Sequence, residues 1–277
     1  MTIVSAEELR KARIMKRLQE HYDEALWYFP ENRIVGIFLQ GSQNYGLDYE
    51  GSDIDTKLIV VPSLEDIVLN KKPVSTTHVR ANDEHIDFKD VRLYMDTFKK
   101  QNLNFLEILF TPFKIVNPMY ADEWNRLVER REEIARMNEF RAVKSMKGIA
   151  LEKFHAMEHK YPSKLDIIDK YGYDGKQVSH LIRVDDYLKR YIKGERYESC
   201  LRPTESKRDE IMKFKLLKYF SLAEARARAL EVKEHVEKIA DEFCEGKEEY
   251  EKPEMRELLE SVQTNIMTIA IKEELAE

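Results

Sequence analysis

The chain has 277 residues, of which 43% are hydrophobic and 35% charged, and its formal net charge is −6. This length fits two modest domains, and the apolar fraction suffices to bury a core. No apolar run reaches the roughly 18 residues of a membrane-spanning helix, and the sequence predicts no signal peptide and no membrane partner. Cys200 and Cys244 lack the spacing of a zinc site, which favours a reducing cytoplasm.

The first predicted element is a helix over residues 5–28. Ser5 and Glu8 have the spacing of a capping box, and apolar side chains then recur at helical spacing. The first half of this helix is basic, a pattern that is most often a solvent-facing surface. Two apolar strands are predicted next, at residues 33–40 and 54–61, joined by a polar loop with three of the nine glycines.

Two aspartates stand at the start of the second strand. Asp53 and Asp55 are two residues apart, so their side chains point to the same face. In the loop before them, Gly41 leaves room for a phosphate to approach the backbone, and Ser42 offers a hydroxyl and an N–H donor. Because paired carboxylates hold divalent cations, this stretch predicts a metal-dependent site for a nucleoside triphosphate.

A third short strand is predicted over residues 83–89, where apolar residues alternate with His85 and Asp87. We predict Asp87 as the third carboxylate because it faces away from the apolar residues. Asp90 is the alternative, and it would serve equally well as the N-cap of the helix that follows. Glu107 lies among apolar residues of another short helix and is predicted to be a buried or half-buried partner of a lysine or arginine.

The rest of the chain has a helical pattern. Lys176, His180 and Arg183 recur at i, i+4 and i+7, on one face of a predicted helix. Arginine offers a bidentate fork and lysine a point charge, so this stripe suits phosphate oxygens; a solvated stripe that pairs with nearby acids is equally compatible with the spacing. The predicted fold is α+β: a small mixed-sheet domain over residues 1–117, followed by an all-α domain over residues 118–277.

Three stretches of the sequence resemble known proteins. The pattern GS…SDIDTKLIVV, which begins at Gly41, resembles the nucleotidyltransferase superfamily of DNA polymerase beta. The runs KKQNLNFLEILFT (99–111) and GYDGKQVSHLIRV (172–184) are similar to the predicted nucleotidyltransferases associated with RNA repair, the RlaP or YcgL-like family. The similarity extends over residues 30–185, and the second run is its most specific part. One departure is Leu103, where family members often carry a proline.

The resemblance implies a polymerase beta-like nucleotidyltransferase domain and a helical domain that closes its active-site cleft. It implies Mg²⁺ (or Mn²⁺) held by Asp53, Asp55 and Asp87. The donor would be an NTP, with ATP favoured, bound through Gly41, Ser42 and the basic helical stripe. The acceptor would be a hydroxyl, with an RNA end such as that of tRNA suggested by the repair association. The alternatives are a protein adenylyltransferase and a catalytically inactive nucleotide- or RNA-binding regulator. The sequence does not define the oligomeric state.

Overall fold

The computed structural model describes residues 5–49, 51–217 and 220–276. The chain divides into two compact units. The first unit comprises Met1–Lys99, Asn104–Met137 and Lys252–Glu277, and the second comprises Lys100–Leu103 and Asn138–Glu251. The sequence predicts a boundary after residue 117, whereas the segments 118–137 and 252–277 belong to the first unit.

The strands are β1 (Ile34–Gln40), β2 (Asp55–Val60), β3 (Ser75–Val79), β4 (His85–Asp90) and β5 (Lys114–Val116). The α-helices up to residue 134 are α1 (Ala6–Ala25), α2 (Ser42–Tyr45), α3 (Leu64–Val68), α4 (Val91–Lys99), α5 (Leu103–Leu106), α6 (Ala121–Glu129) and α7 (Arg131–Ile134). The later α-helices are α8 (Glu139–Ala156), α9 (Leu165–Tyr171), α10 (Gly175–Tyr191), α11 (Tyr197–Leu201), α12 (Glu205–Lys215), α13 (Leu222–Cys244) and α14 (Pro253–Ala276). Short 3₁₀ helices lie at Glu31–Arg33, Glu107–Leu109, Pro118–Tyr120 and Pro162–Lys164.

The strands form a five-stranded mixed sheet in the described part of the chain, in the order β3-β4-β2-β1-β5. Strand β1 is antiparallel to β2 and β5, β2 is parallel to β4, and β3 is antiparallel to β4. The α+β class and the mixed sheet are therefore confirmed, and the C-terminal part of the chain is rich in helices. The sequence did not predict β3 and β5, because β3 is a polar, largely exposed edge strand and β5 has only three residues.

One face of the sheet packs against α1. The apolar side of this helix joins a buried cluster with residues of the strands, among them Leu58 of β2 and Ile86 of β4. Neighbouring residues of a strand point to opposite faces. Asp55, Lys57 and Asp87 alternate with the residues of this cluster, so they point away from α1. The carboxylates of interest thus lie on the face of the sheet that α1 does not cover.

The C-terminal helix α14 packs against α6 and α4 of the first unit. Its buried residues recur at helical spacing: Met255, Leu259, Val262, Ile266 and Ala270. Full burial of a large apolar side chain contributes roughly 1.5–3 kcal/mol, so this stripe explains why α14 belongs to the first unit. The place of α14 in the first unit therefore depends on contacts between residues that are far apart in the sequence.

The second unit is built around α10, which contacts α8, α11, α12 and α13. This helix is buried over most of its length, from Val178 to Leu188 apart from His180. Its N-cap is Asp174, whose side chain accepts a hydrogen bond from the Lys176 N–H at 2.8 Å. Among the described residues, none of the helices combines the length and apolar character needed to span a membrane.

Candidate active site

The turn after β1 contains a glycine in a backbone conformation that other residues adopt only with strain. Gly41 has φ 84° and ψ −154°, and Ser42 immediately begins the short helix α2. A Cβ added at Gly41 would meet no atom within 4 Å, so the space beside this turn is open. This open space lies where the sequence predicts that a phosphate approaches the backbone.

The loop after this turn is fixed by side chains from other elements. Arg10 of α1 donates to both carboxylate oxygens of Asp48 at 3.2 and 3.1 Å, and to the backbone oxygen of Gln43 at 2.8 Å. Asn44 accepts a hydrogen bond from the Thr111 hydroxyl at 2.8 Å. One arginine of the basic half of α1 therefore has a structural role at the candidate site, which its sequence pattern alone did not reveal.

Asp55 and Asp87 occupy the same face of neighbouring strands. In the parallel pair of β2 and β4, Lys57 is opposite Asp87, and in the antiparallel pair of β1 and β2, Gln40 is opposite Asp55. The Gln40 Nε2 also donates to Asp87 Oδ2 at 3.3 Å. Gln40 is on β1 and Asp87 on β4, so this bond crosses β2. It brings Gln40, Asp55 and Asp87 together on one face of the sheet, near the end of β1 and the start of β2.

Each of the two carboxylates is oriented by hydrogen bonds. Asp55 Oδ1 accepts from the backbone N–H of His85 at 3.0 Å and lies 3.1 Å from its Nδ1. Asp87 Oδ1 accepts from the Thr77 hydroxyl at 2.6 Å. The sequence pattern does not predict Gln40, His85 or Thr77 as site residues. His85 could have been found from its alternation with Asp87, whereas Thr77 lies on a strand that was not predicted.

The donor set fits a hard divalent cation by its chemistry, because Asp55 and Asp87 are partly exposed and offer oxygen atoms. Asp53 is exposed and precedes β2. Within the described ranges, no group of three or more His, Cys, Asp or Glu side chains is arranged to hold a metal ion. Of the three predicted carboxylates, Asp55 and Asp87 are therefore oriented on one face of the sheet. Asp53 lies two residues before Asp55 in the chain.

Asp90, the alternative third carboxylate, has a different structural role. It is buried at the end of β4, and its Oδ1 accepts from the backbone N–H of Arg92 at 2.9 Å. Its Oδ2 also pairs with the Arg92 guanidinium at 2.7 Å. Asp90 thus caps the start of α4 and holds an arginine, while Asp87 lies on the face that carries Asp55.

A buried lysine lies on the same face. The side chain of Lys57 is 4% exposed, with its Nζ 4.3 Å from the centre of the Phe105 ring and 3.9 Å from Glu107 Oε1. Burial lowers the pKa of Lys57 to about 7, and the nearby Asp87 carboxylate partly opposes this. Glu107 is itself buried, and its Oε1 accepts from the Gly41 N–H at 3.4 Å. The prediction that Glu107 is a buried acid beside a lysine or arginine is confirmed.

The basic stripe of the second unit lies on α10. Lys176 is exposed, His180 is half-buried, and Arg183 is 5% exposed. Burial lowers the pKa of His180 well below its usual value, and the positive charges of Arg183, Lys176, Lys153 and Lys215 lower it further. Basic side chains of α8, α10 and α12 therefore lie close enough to His180 to act on it together.

The acids that follow the stripe in the sequence have other partners. Asp185 Oδ1 lies 2.5 Å from Nδ1 of His235 in α13. Asp186 accepts hydrogen bonds from the backbone N–H and the hydroxyl of Thr204, both at 3.2 Å, and lies 3.6 Å from the guanidinium of Arg190. These contacts weaken the alternative in which Asp185 and Asp186 neutralise the stripe.

Comparisons with known proteins do not identify a family. No protein-family model matches the chain, and no curated protein matches it significantly.

Proposed function

We propose that the protein is a metal-dependent nucleotidyltransferase, which moves an NMP from an NTP to a hydroxyl acceptor. The observation that carries this proposal is the oriented pair Asp55 and Asp87 on neighbouring strands. The pair lies near the end of β1, where Gln40 leads into the open turn at Gly41. Oxygen ligands beside a space for phosphate suit this class of reaction. The proposal includes a polymerase beta-like identity for the first unit, which the sequence resemblance supports.

In this proposal Asp53, Asp55 and Asp87 hold Mg²⁺ or Mn²⁺. When bound, the metal would activate the attacking hydroxyl and stabilise the charge that develops on the phosphoryl group. The role of His85 is to hold one oxygen of Asp55 and so direct the other outward. Gln40 and Thr77 each hold one of the two carboxylate oxygens of Asp87 and so fix the orientation of that carboxylate.

The NTP, with ATP favoured, would bind with its phosphates beside Gly41 and Ser42, where the backbone is open to approach. Lys176, His180 and Arg183 are proposed as phosphate-binding residues of the second unit, supported by the cationic surroundings of His180. Stabilisation of charge on the departing pyrophosphate is their proposed contribution to the reaction. The proposed acceptor is an RNA end, with tRNA as the first candidate.

The test is to follow label from nucleotide to acceptor. The protein is incubated with Mg²⁺, total RNA and total protein, and with each NTP labelled at the α-phosphate. We expect label in the RNA fraction, loss of transfer with a chelator, and none with γ-labelled ATP, because the γ-phosphate leaves within pyrophosphate. Label in the protein fraction would instead identify an adenylyltransferase. Absence of transfer to any acceptor, or transfer from the γ-position, would contradict the proposal.

Asp87 and Asp90 give a matched pair of variants. For Asp87→Asn we expect transfer to fall by about 100-fold with little change in stability, because a partly exposed metal ligand is lost. For Asp90→Asn we expect transfer to persist in the folded protein and the free energy of unfolding to fall by about 1–2 kcal/mol, because the capping carboxylate and its pair with Arg92 are lost. Transfer rates and urea unfolding measure the two effects, and the opposite pattern would make Asp90 the functional acid.

Lys176 and Lys189 give a second pair on one helix. Both are exposed residues of α10. We expect Lys176→Ala to raise the KM for NTP by about tenfold, since a charge-assisted contact to phosphate is removed. The Lys189→Ala control should leave this KM within about twofold, because an isolated surface charge contributes little. Equal KM values in both variants and the wild type would remove Lys176 from the phosphate site.

A further inference from the structure

A buried charged network lies on the α1 side of the sheet, opposite the face of Asp55 and Asp87. Its centre is Glu84, which directly precedes β4 and is 7% exposed. Glu84 Oε2 lies 2.9 Å from His21 Nε2 and 3.2 Å from Arg80, and it also pairs with Arg17. A buried carboxylate needs such partners, since an isolated buried charge is strongly unfavourable.

The network contacts the chain on both sides of Asp55, at Ile54 just before β2 and at Thr56 within it. Glu84 Oε1 accepts a hydrogen bond from the Ile54 N–H at 3.3 Å. His21 Nδ1 lies 2.9 Å from the hydroxyl of Thr56, which is buried within an otherwise apolar part of the sheet. The two residues that flank Asp55 in the sequence are therefore held by Glu84, one directly and the other through His21.

The direction of each hydrogen bond follows from the charge states. Burial opposes ionisation of Glu84, but hydrogen bonds from His21 and Arg17 outweigh it and lower the pKa of Glu84 to about 2. Burial lowers the pKa of His21, so His21 is neutral at pH 7. A neutral His21 donates from Nε2 to the Glu84 carboxylate, and its Nδ1 accepts from the Thr56 hydroxyl. Donors and acceptors are thus matched along the network.

Glu84 and His85, which are consecutive in the chain, hold residues 54–56 from opposite faces of the sheet. Glu84 binds the backbone at Ile54 on the α1 side, and His85 binds the Asp55 carboxylate on the other. We propose that Glu84 is a positioning residue for Asp55, which fixes the backbone of residues 54–56 and thereby the direction of the carboxylate. This inference rests on the proposed function for its kinetic consequence, because metal ligands must be held closely in place.

The test compares Glu84→Gln with the matched control Glu24→Gln. Glu24 is an acid of α1 that binds the same Arg80, at 2.7 Å, and also His78. For Glu84→Gln we expect kcat to fall and the half-saturating Mg²⁺ concentration to rise, each by about tenfold, while the KM for NTP stays within about twofold. For Glu24→Gln, all three values should stay within about twofold of the wild type.

Hydrogen exchange supplies a readout that does not need activity. The Ile54 amide should exchange about tenfold faster in Glu84→Gln than in the Glu24→Gln control, because its charged acceptor is replaced by a neutral one. If Glu84→Gln does not fold, Thr56→Val takes its place: it removes the hydroxyl that holds His21 and should shift kcat and Mg²⁺ dependence in the same direction.

The inference is overturned if folded Glu84→Gln keeps the wild-type kcat, Mg²⁺ dependence and Ile54 exchange. If Thr56→Val takes its place, wild-type kcat and Mg²⁺ dependence in that variant overturn the inference. It is also overturned if Glu24→Gln changes them equally. Failure of the proposed function looks different. In that case the wild type transfers no label, or Asp55→Asn transfers it normally, and Ile54 exchange still reports whether Glu84 holds the strand.

Discussion

Replacing Asp53 and Asp55 together with alanine is expected to abolish NMP transfer while the protein stays folded. A metal ion at a reacting phosphate supplies several kcal/mol of transition-state stabilisation, so loss of its ligands should lower the rate by about 10³-fold or more. The fold should persist because Asp53 is exposed and Asp55 partly exposed, and neither belongs to the buried cluster between α1 and the sheet. The rate of label transfer from α-labelled ATP measures the effect.

The control for this double variant is Asp96→Ala, which removes an exposed acid of α4 in the same unit. Its transfer rate should equal that of the wild type, since the Asp96 carboxylate is exposed and lies 3.9 Å from Lys99 Nζ at the surface. Thermal unfolding of each variant separates loss of function from loss of fold. Full activity in a folded double variant would exclude the two aspartates from catalysis.

Lys57 is expected to make the stability of the protein depend on pH above neutrality. Its pKa is depressed to about 7 in the folded protein, against an ordinary value of 10.5. Between these two values the unfolded chain binds more protons than the folded one, so the free energy of unfolding rises with pH. The rise attributable to Lys57 between pH 7 and 10.5 should be about 3–5 kcal/mol.

The matched variant is Lys57→Met, which keeps an unbranched side chain of similar length and cannot titrate. Urea unfolding of the wild type and of Lys57→Met at several pH values gives the difference between their free energies. We expect this difference to shift in favour of the wild type as pH rises from 7, and to be constant below pH 6. Parallel curves over the whole range would show that Lys57 titrates at its ordinary pKa.

The part of the fold that carries the two acids could be predicted from local sequence. Near-continuous apolar runs identified β1 and β2, and strict alternation identified β4 with Asp87 on the opposite face from Phe88. The capping box at Ser5 and Glu8 likewise marked the start of α1. In these segments the local pattern and the final environment agree.

Other features depend on contacts between distant residues. The polar edge strand β3 has no apolar alternation to reveal it, so Thr77 could not be connected with Asp87. The contact of Gln40 with Asp87 requires the strand order β4-β2-β1, which no single strand encodes. The pairing of His21 with Glu84 likewise joins residues 63 positions apart. Tertiary register, rather than local propensity, creates these contacts.

The most direct measurement is the affinity of the folded protein for Mn²⁺. Electron paramagnetic resonance monitors this binding in the presence of a non-hydrolysable ATP analogue. The proposed function requires that the wild type binds Mn²⁺ and that the Asp55→Asn/Asp87→Asn double variant binds it at least about tenfold more weakly, with Asp96→Ala as the unchanged control. Equal Mn²⁺ affinity in the wild type and the double variant would contradict the assignment of Asp55 and Asp87 as metal ligands.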